Sequence, residues 1–241
     1  MNVYLSGGGL KGAYQYGFFK RIYTKHPNFP IDKIYCTSVG SFNALPIMTN
    51  RVEYLKPFWE CDQKPKENPL DKILTRWDDW PFSTIKYKTL YSGINLKPVD
   101  TFWDSCTPEE IERLKNVTIV SYNNKTNKPV FRTCVDKNTT LKAIETTCCF
   151  PGLYPPNRNH PNIIDGSLIK NMFEYIPMNE SWLCLDLHED THRVSRTKSN
   201  QIIFKPVNNS FFACLDGRDA TIRMMIENGE YDADVFLDVY F

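Results

Sequence analysis

Val3-Tyr4-Leu5-Ser6-Gly7-Gly8-Gly9-Leu10-Lys11-Gly12-Ala13-Tyr14 begins as an apolar strand, breaks into glycines and reopens as a helix. Glycines permit positive φ and leave backbone N–H groups clear of side chains, while a helix N-terminus adds unpaired donors and partial positive charge. A loop of this kind holds an anion or a developing oxyanion. Two uses compete at this point: a phosphate cradle for a nucleotide, or the oxyanion hole of an acyl-transfer enzyme.

Downstream of the glycines, Leu10, Ala13, Tyr14, Gly17, Phe18 and Ile22 recur at helical spacing. The pattern predicts a helix over residues 11–23, with Lys11, Gln15, Lys20 and Arg21 facing out. Pro27 and Pro30 end it, and Ile31 to Cys36 read as a second buried strand, parallel to the first in a right-handed βαβ unit. That strand runs into Cys36-Thr37-Ser38-Val39-Gly40-Ser41-Phe42-Asn43-Ala44. A serine at an abrupt strand-to-helix corner presents its hydroxyl above the sheet beside the donors of the new helix, which is the outline of a nucleophile elbow. The same serine would also serve as a plain helix N-cap. In the usual G-x-S-x-G pattern the first position is glycine, whereas here it is Cys36.

The rest of the chain supplies further candidates. Residues 51–110 are rich in aromatics, including Trp59, Trp77, Trp80 and Trp103, and read as an insertion or cap of irregular and helical pieces. Such rings suit an acyl-chain pocket or a lipid boundary, and equally the packing of a helical subdomain onto the sheet. Val117–Tyr122 and Val130–Thr133 predict a hairpin at or near the sheet edge, and Leu141–Cys149 a short helix stopped by the proline-rich Pro151–Pro156. Ile163-Ile164-Asp165-Gly166-Ser167 then delivers an acid from a strand end into a glycine turn, as a functional carboxylate or as a turn-maker. Trp182–Leu187 and Gln201–Val207 add strands, and Asp219–Asn228 a late helix.

Composition narrows the field. A chain of 241 residues, 41% hydrophobic and 24% charged, suffices for one large domain, so a single domain over 1–241 is expected. A formal net charge of +1 provides no long-range attraction for nucleic acid, and none is expected as a partner. No apolar run approaches the roughly 20 residues of a spanning helix, and the first strand begins too near Met1 for a leader. The expectation is a cytoplasmic protein, at most peripheral to membranes. Eight cysteines are scattered without C-x-x-C pairs, which favours free buried thiols over a zinc site or a disulfide scaffold.

The glycine loop, the serine corner and the Asp-Gly turn all lie at the ends of apolar strands, where ligand crevices of open parallel sheets form. In this order they resemble the patatin-like phospholipases, whose pattern is an oxyanion loop G-G-G-x-K/R-G, a G-x-S-x-G elbow and a D-G-G/A turn. Gly7-Gly8-Gly9-Leu10-Lys11-Gly12 matches the first, Thr37-Ser38-Val39-Gly40 most of the second and Asp165-Gly166 the third. Asn171 and the proline-rich loop before Asp165 extend the likeness, which covers roughly residues 2–180. Cys36 in the elbow, Ser167 after Asp165-Gly166 and Pro46 in the helix behind Ser38 depart from it. Cys36 is expected to strain the turn or narrow the space at Ser38, and Pro46 to leave that helix short or kinked.

The resemblance implies an α/β three-layer sandwich with a mostly parallel sheet flanked by helices, and a lipid acyl hydrolase of the phospholipase A or lipase type. It implies Ser38 as nucleophile, Asp165 as general base, and the N–H groups of the Gly7, Gly8, Gly9, Lys11 and Gly12 loop as oxyanion donors, with Cys36, Gly40 and Gly166 shaping the elbow and turn. An unperturbed carboxyl near pKa ~3.9 is a poor base, so Asp165 is expected to be desolvated. A lipid or phospholipid substrate is implied, with contact at a membrane or lipid-droplet surface, and no cofactor or metal. Lys11 is a candidate for a lipid phosphate. A histidine-assisted triad is the alternative within this class, with His160, His188 and His192 candidates by order alone, but each stands in a polar, loop-like stretch and is read as exposed.

Two rivals remain. A lipid-binding relative without turnover would keep the same pocket. A nucleotide-binding Rossmann-like fold would use Gly7, Gly9 and Gly12 as G-x-G-x-x-G, but it needs an acid at the far end of the second strand, where Cys36-Thr37-Ser38 stands, while Asp32 lies at its start.

Overall fold

The computed structural model describes residues 1–60, 96–151, 160–169, 172–177, 179–188, 194–195, 200–207 and 219–240. Trp77, Trp80, most of the proline-rich loop, Asn171 and His192 lie outside them. The first strand, β1 (Asn2–Leu5), passes through the glycines and a 3-10 turn into α1 (Gly12–Lys25), and β2 (Lys33–Cys36) leads into α2 (Val39–Met48). There follow α3 (Lys56–Trp59), α4 (Lys97–Asp104), α5 (Pro108–Leu114), β3 (Val117–Asn123), β4 (Lys128–Thr133) and α6 (Lys137–Thr147). The last elements are β5 (Ile163–Asp165), β6 (Trp182–Leu185), β7 (Val194–Ser195), β8 (Gln201–Phe204) and α7 (Asp219–Tyr240).

The strands form a single mixed sheet in the order β4-β3-β2-β1-β6-β8-β7, with β5 paired to β3 outside that path. Its centre, from β3 through β2, β1 and β6 to β8, is parallel; β4, β5 and β7 pair antiparallel. The 117–133 hairpin sits at the edge, as its Asn- and Lys-rich turn suggests.

Side-chain alternation divides the core between the two faces of the sheet. Val3, Leu5, Leu183, Leu185 and Phe204 point to one face, where they pack with α1, α2, α6 and α7. Tyr4, Trp182, Cys184 and Ile203 point to the other, which is covered by Ile169, Met172 and Ile176 from the irregular segment after β5. The central strands are therefore buried on both faces, which is why they read as continuous apolar runs.

Helix α1 is buried nearly all round, and this corrects the outward placement of Lys11 and Gln15: they are 4% and 0% exposed. Gln15 donates to the Ser6 carbonyl and accepts from Asn43, whose Nδ2 also donates to the Gly12 carbonyl. α7 is far longer than the stretch predicted to Asn228. Gly229 lies where α7 crosses α1, and a Cβ there would sit 2.1 Å from the Tyr14 carbonyl oxygen. Beyond the crossing, buried Asp232 accepts from the Tyr14 hydroxyl at 2.7 Å, so the acidic continuation stays helical.

The aromatics of residues 51–110 that are described serve packing. Trp59, Phe102 and Trp103 are buried, and the Trp59 indole donates to Asn43 behind α2. α2 runs for ten residues, with Pro46 in its last turn. Among the described residues no helix is long and apolar enough to cross a membrane.

Candidate active site

Strand β3 explains how distant segments meet. One of its edges is occupied by β4 along Thr118–Asn123. The other edge is shared: β2 pairs with Ile34 opposite Val117 and Cys36 opposite Ile119, and β5 pairs with Asp165 opposite Ser121 and Ile163 opposite Asn123. β2 is parallel to β3 and β5 antiparallel, so the two strands run toward each other and end head to head across Val120. Asp165 thus reaches Ser38 along a shared strand edge. This revises the expectation that all three motifs lie at the ends of parallel strands.

At the end of β2 the chain turns sharply, and Ser38 takes φ 48° and ψ −128°, a strained backbone for a residue with a Cβ. The corner is fixed from three sides. Ser38 N–H donates to Thr147 Oγ1 at 3.1 Å, the Ser38 carbonyl accepts from the Ser41 hydroxyl at 2.6 Å, and Thr37 N–H donates to the Leu5 carbonyl. Gly40 is required by close approach, since a Cβ there would fall 2.3 Å from the Leu5 carbonyl oxygen. Ser38 is itself partly exposed. Cys36 does not crowd it: the Cys36 side chain is buried in the core on the helix-covered face, with Sγ 3.5 Å from the Thr118 carbonyl oxygen.

Asp165 is 2% exposed. Its carboxylate accepts from Ser167 N–H at 2.8 Å, and the Ser38 side chain stands close enough to lower its proton affinity. Burial pushes the carboxyl up to about 6, against the opposing pull of Ser167, of Ser38 and of nearby His188. Gly166 passes directly against the Val120 carbonyl and the Thr37 methyl, which closes the turn onto the elbow. Cys148, which sequence reasoning did not single out, also lies here. Burial and the Asp165 charge hold its thiol well above the usual range, with nearby Ser41 and Ser38 pulling the other way.

The glycine loop borders the same point, since a Cβ on Gly7 would lie 2.6 Å from Ser38 Cβ and 2.8 Å from Ser167 Cβ. Its donors are not equivalent. Gly7 N–H is buried and donates to Thr37 Oγ1 at 2.7 Å. Lys11 N–H donates to the Gly8 carbonyl, and Gly12 N–H to the carbonyls of Gly9 and Leu10. Of the five residues expected to supply donors, Gly7, Lys11 and Gly12 therefore have theirs committed within the protein. Gly8 and Gly9 are partly exposed, and among the described residues no hydrogen bond uses their N–H groups. Gly9 takes φ 57°, which only glycine adopts without strain. The Lys11 side chain turns inward, its ammonium donating to the Leu187 carbonyl at 2.5 Å.

Sequence reasoning also passed over the stretch that follows β6. Leu187 N–H donates to Ser6 Oγ at 2.6 Å, buried Asp186 lies 3.2 Å from the Lys205 ammonium, and His188 is held between Asp186 and the Ser167 carbonyl. His188 is thus tied into the site, whereas His160 is exposed as expected. Asp32 lies on the surface, bound to the N-terminal ammonium. No acid stands at the end of β2 to hold a ribose, and the nucleotide-binding reading falls.

The architecture and sequence match known proteins in the same sense. The chain is similar to VipD from Legionella pneumophila, with a TM-score of 0.54 at 13% identity, over 100% of this chain and 67% of that one. No curated protein matches the sequence. The model of the family described as Patatin-like phospholipase matches residues 3–177, a span that holds the glycine loop, the Ser38 corner and the Asp165 turn. The chain belongs to the patatin-like phospholipase family, a family of lipid acyl hydrolases.

Proposed function

We propose that this protein cleaves fatty-acyl ester bonds of lipids, as a phospholipase A or lipase, through a Ser38–Asp165 dyad and an acyl-enzyme. The observation that carries the reading is a partly exposed, strained Ser38 set beside the buried carboxylate of Asp165, whose burial lifts its pKa to about 6. A carboxyl tuned to that range is ionised at neutral pH and is still basic enough to accept a hydroxyl proton in a transition state.

In the first half-reaction Ser38 Oγ attacks the ester carbonyl carbon as its proton passes to Asp165. The carbonyl oxygen becomes an oxyanion, held by the N–H groups of Gly8 and Gly9 at the start of the 3-10 turn before α1. Collapse expels the alcohol, which takes the proton from Asp165 and leaves an acyl ester on Ser38. Water then repeats the sequence with Asp165 as base, releasing the fatty acid and restoring the hydroxyl. The inward-turned Lys11 supports the loop from beneath, so its ammonium has no part in binding a lipid phosphate. The acyl donor is a lipid presented at a membrane or droplet surface, which the protein meets peripherally.

The test is incubation of the purified protein with mixed phospholipid and triglyceride vesicles, with mass spectrometry of released fatty acids and Ser38→Ala as control. Release by the native protein and none by the variant supports the dyad. Saturable vesicle binding with no release by either would identify a lipid-binding relative without turnover.

A further inference from the structure

We propose that His188 is a positioning residue for this reaction: an imidazolium that bridges Asp186 and the Ser167 carbonyl and locks the Asp165-Gly166-Ser167 turn in register with the glycine loop. The inference deepens the acyl-hydrolase reading and rests on it. Its basis is a count of donors and acceptors. His188 Nδ1 lies 2.6 Å from Asp186 Oδ1, and Nε2 lies 3.0 Å from the Ser167 carbonyl oxygen. A carbonyl oxygen only accepts, and so does an ionised carboxylate, so both ring nitrogens must carry hydrogens and the ring must be charged.

The surroundings fit that charge. Asp186 is 4% exposed and is kept ionised because His188 and Lys205 together outweigh the burial that would raise its carboxyl. Burial and the Lys11 ammonium oppose the charge on His188, but the bond and charge of Asp186, with the Ser167 carbonyl, prevail and hold it above its ordinary value. Among the described residues, the titratable and charged groups around the ring are Asp186 after β6, Lys11 before α1 and Asp165 at the end of β5, with Lys205 after β8 on the far oxygen of Asp186.

The location gives the bridge its purpose. Residues 186–188 reach both halves of the site. Leu187 N–H holds Ser6 Oγ and the Leu187 carbonyl accepts from Lys11, while His188 holds Ser167, whose own N–H orients the Asp165 carboxylate. On deprotonation the ring keeps one N–H, which the charged Asp186 retains as the stronger acceptor, and the Ser167 carbonyl loses its partner. The base turn then loosens, and the positive charge near Asp165 disappears. The contribution of the bridge to stability is complete below the unfolded value of about 6.5 and is lost as the pH rises through the raised folded value. Activity should therefore fall on the alkaline side through His188, separately from the acid limb set by Asp165.

Two measurements decide it. In the native protein, ¹⁵N NMR of the His188 ring is expected to show both nitrogens protonated at pH 7, with Asp186→Asn lowering the midpoint. In vesicle hydrolysis, His188→Gln is expected to lower kcat by about 10- to 100-fold at nearly constant KM and to abolish the alkaline limb. His188→Arg, which keeps two donors and a permanent charge, restores most of kcat and also lacks that limb. A singly protonated ring at pH 7, or a His188→Gln profile that superimposes on the native one, overturns the proposal. A native protein that releases no fatty acid defeats the hydrolase reading instead, and the ring titration then still decides whether the bridge exists.

Discussion

Replacing Asp165 with asparagine separates the chemistry of the site from the stability of the chain. The native carboxyl is raised from 3.8 to about 6 by burial. At about 1.4 kcal/mol for each tenfold change in proton affinity, an ionised Asp165 costs the folded state about 3 kcal/mol. The sign follows from the direction of the shift. A raised folded value means that the native protein loses stability relative to a neutral side chain as the pH climbs from about 4 to about 6, and none further above that. Asp165→Asn is therefore expected to be the more stable protein at pH 8 by up to about 3 kcal/mol, since its amide oxygen can still accept from Ser167 N–H. At about 2 to 4 °C per kcal/mol for a chain of this size, Tm rises by about 6 to 12 °C. The gain should vanish near pH 4, while kcat falls by about two to four orders of magnitude. Urea unfolding of both proteins from pH 4 to 8, alongside fatty-acid release, measures both quantities. A stability difference that does not change with pH, or a less stable variant at pH 8, would refute burial as the cause of the raised carboxyl.

Other substitutions test the geometry around it. Gly40→Ala places a Cβ on the Leu5 carbonyl and should destabilise the chain by about 3 kcal/mol in denaturant titration while disabling Ser38. Ser38→Gly and Ser38→Ala remove the same hydroxyl, but only glycine relieves φ 48°, so the glycine variant should be the more stable of the two by about 1 to 2 kcal/mol. Thr107→Ala removes the side-chain acceptor of the capping box that opens α5 and should cost about 1 kcal/mol in thermal unfolding, with activity unchanged.

Much of the site is written in local sequence because its parts are local devices. A glycine loop after a strand, a serine between strand and helix and an Asp-Gly turn each leave two uses open, and their order along one chain chooses between them. What escaped is the long-range pairing. That β5 runs against β3 and meets β2 end to end depends on which edge of β3 is free, and three residues, Ile163–Asp165, carry no mark of direction. The donors of the glycine loop could not be ranked without Thr37, whose hydroxyl takes up the N–H of Gly7. Lys11 was misplaced because charge suggests solvent, whereas its ammonium is bound by Leu187, far away in sequence; His188 keeps an exposed side chain, and what escaped there is its bridge from Asp186 to the Ser167 carbonyl. The late helix expected over Asp219–Asn228 runs on to Tyr240, since Gly229 lets α7 cross α1 at backbone contact.

The central claim is that Ser38 is an activated nucleophile whose base is Asp165. Labelling with a fluorophosphonate probe across pH, with peptide mapping, tests it most directly. The account predicts a single adduct at Ser38, a rate that rises with pH to a half-maximum near 6, and loss of labelling in Ser38→Ala and Asp165→Asn. An adduct elsewhere, or labelling of Ser38 at an undiminished rate in Asp165→Asn, would contradict it.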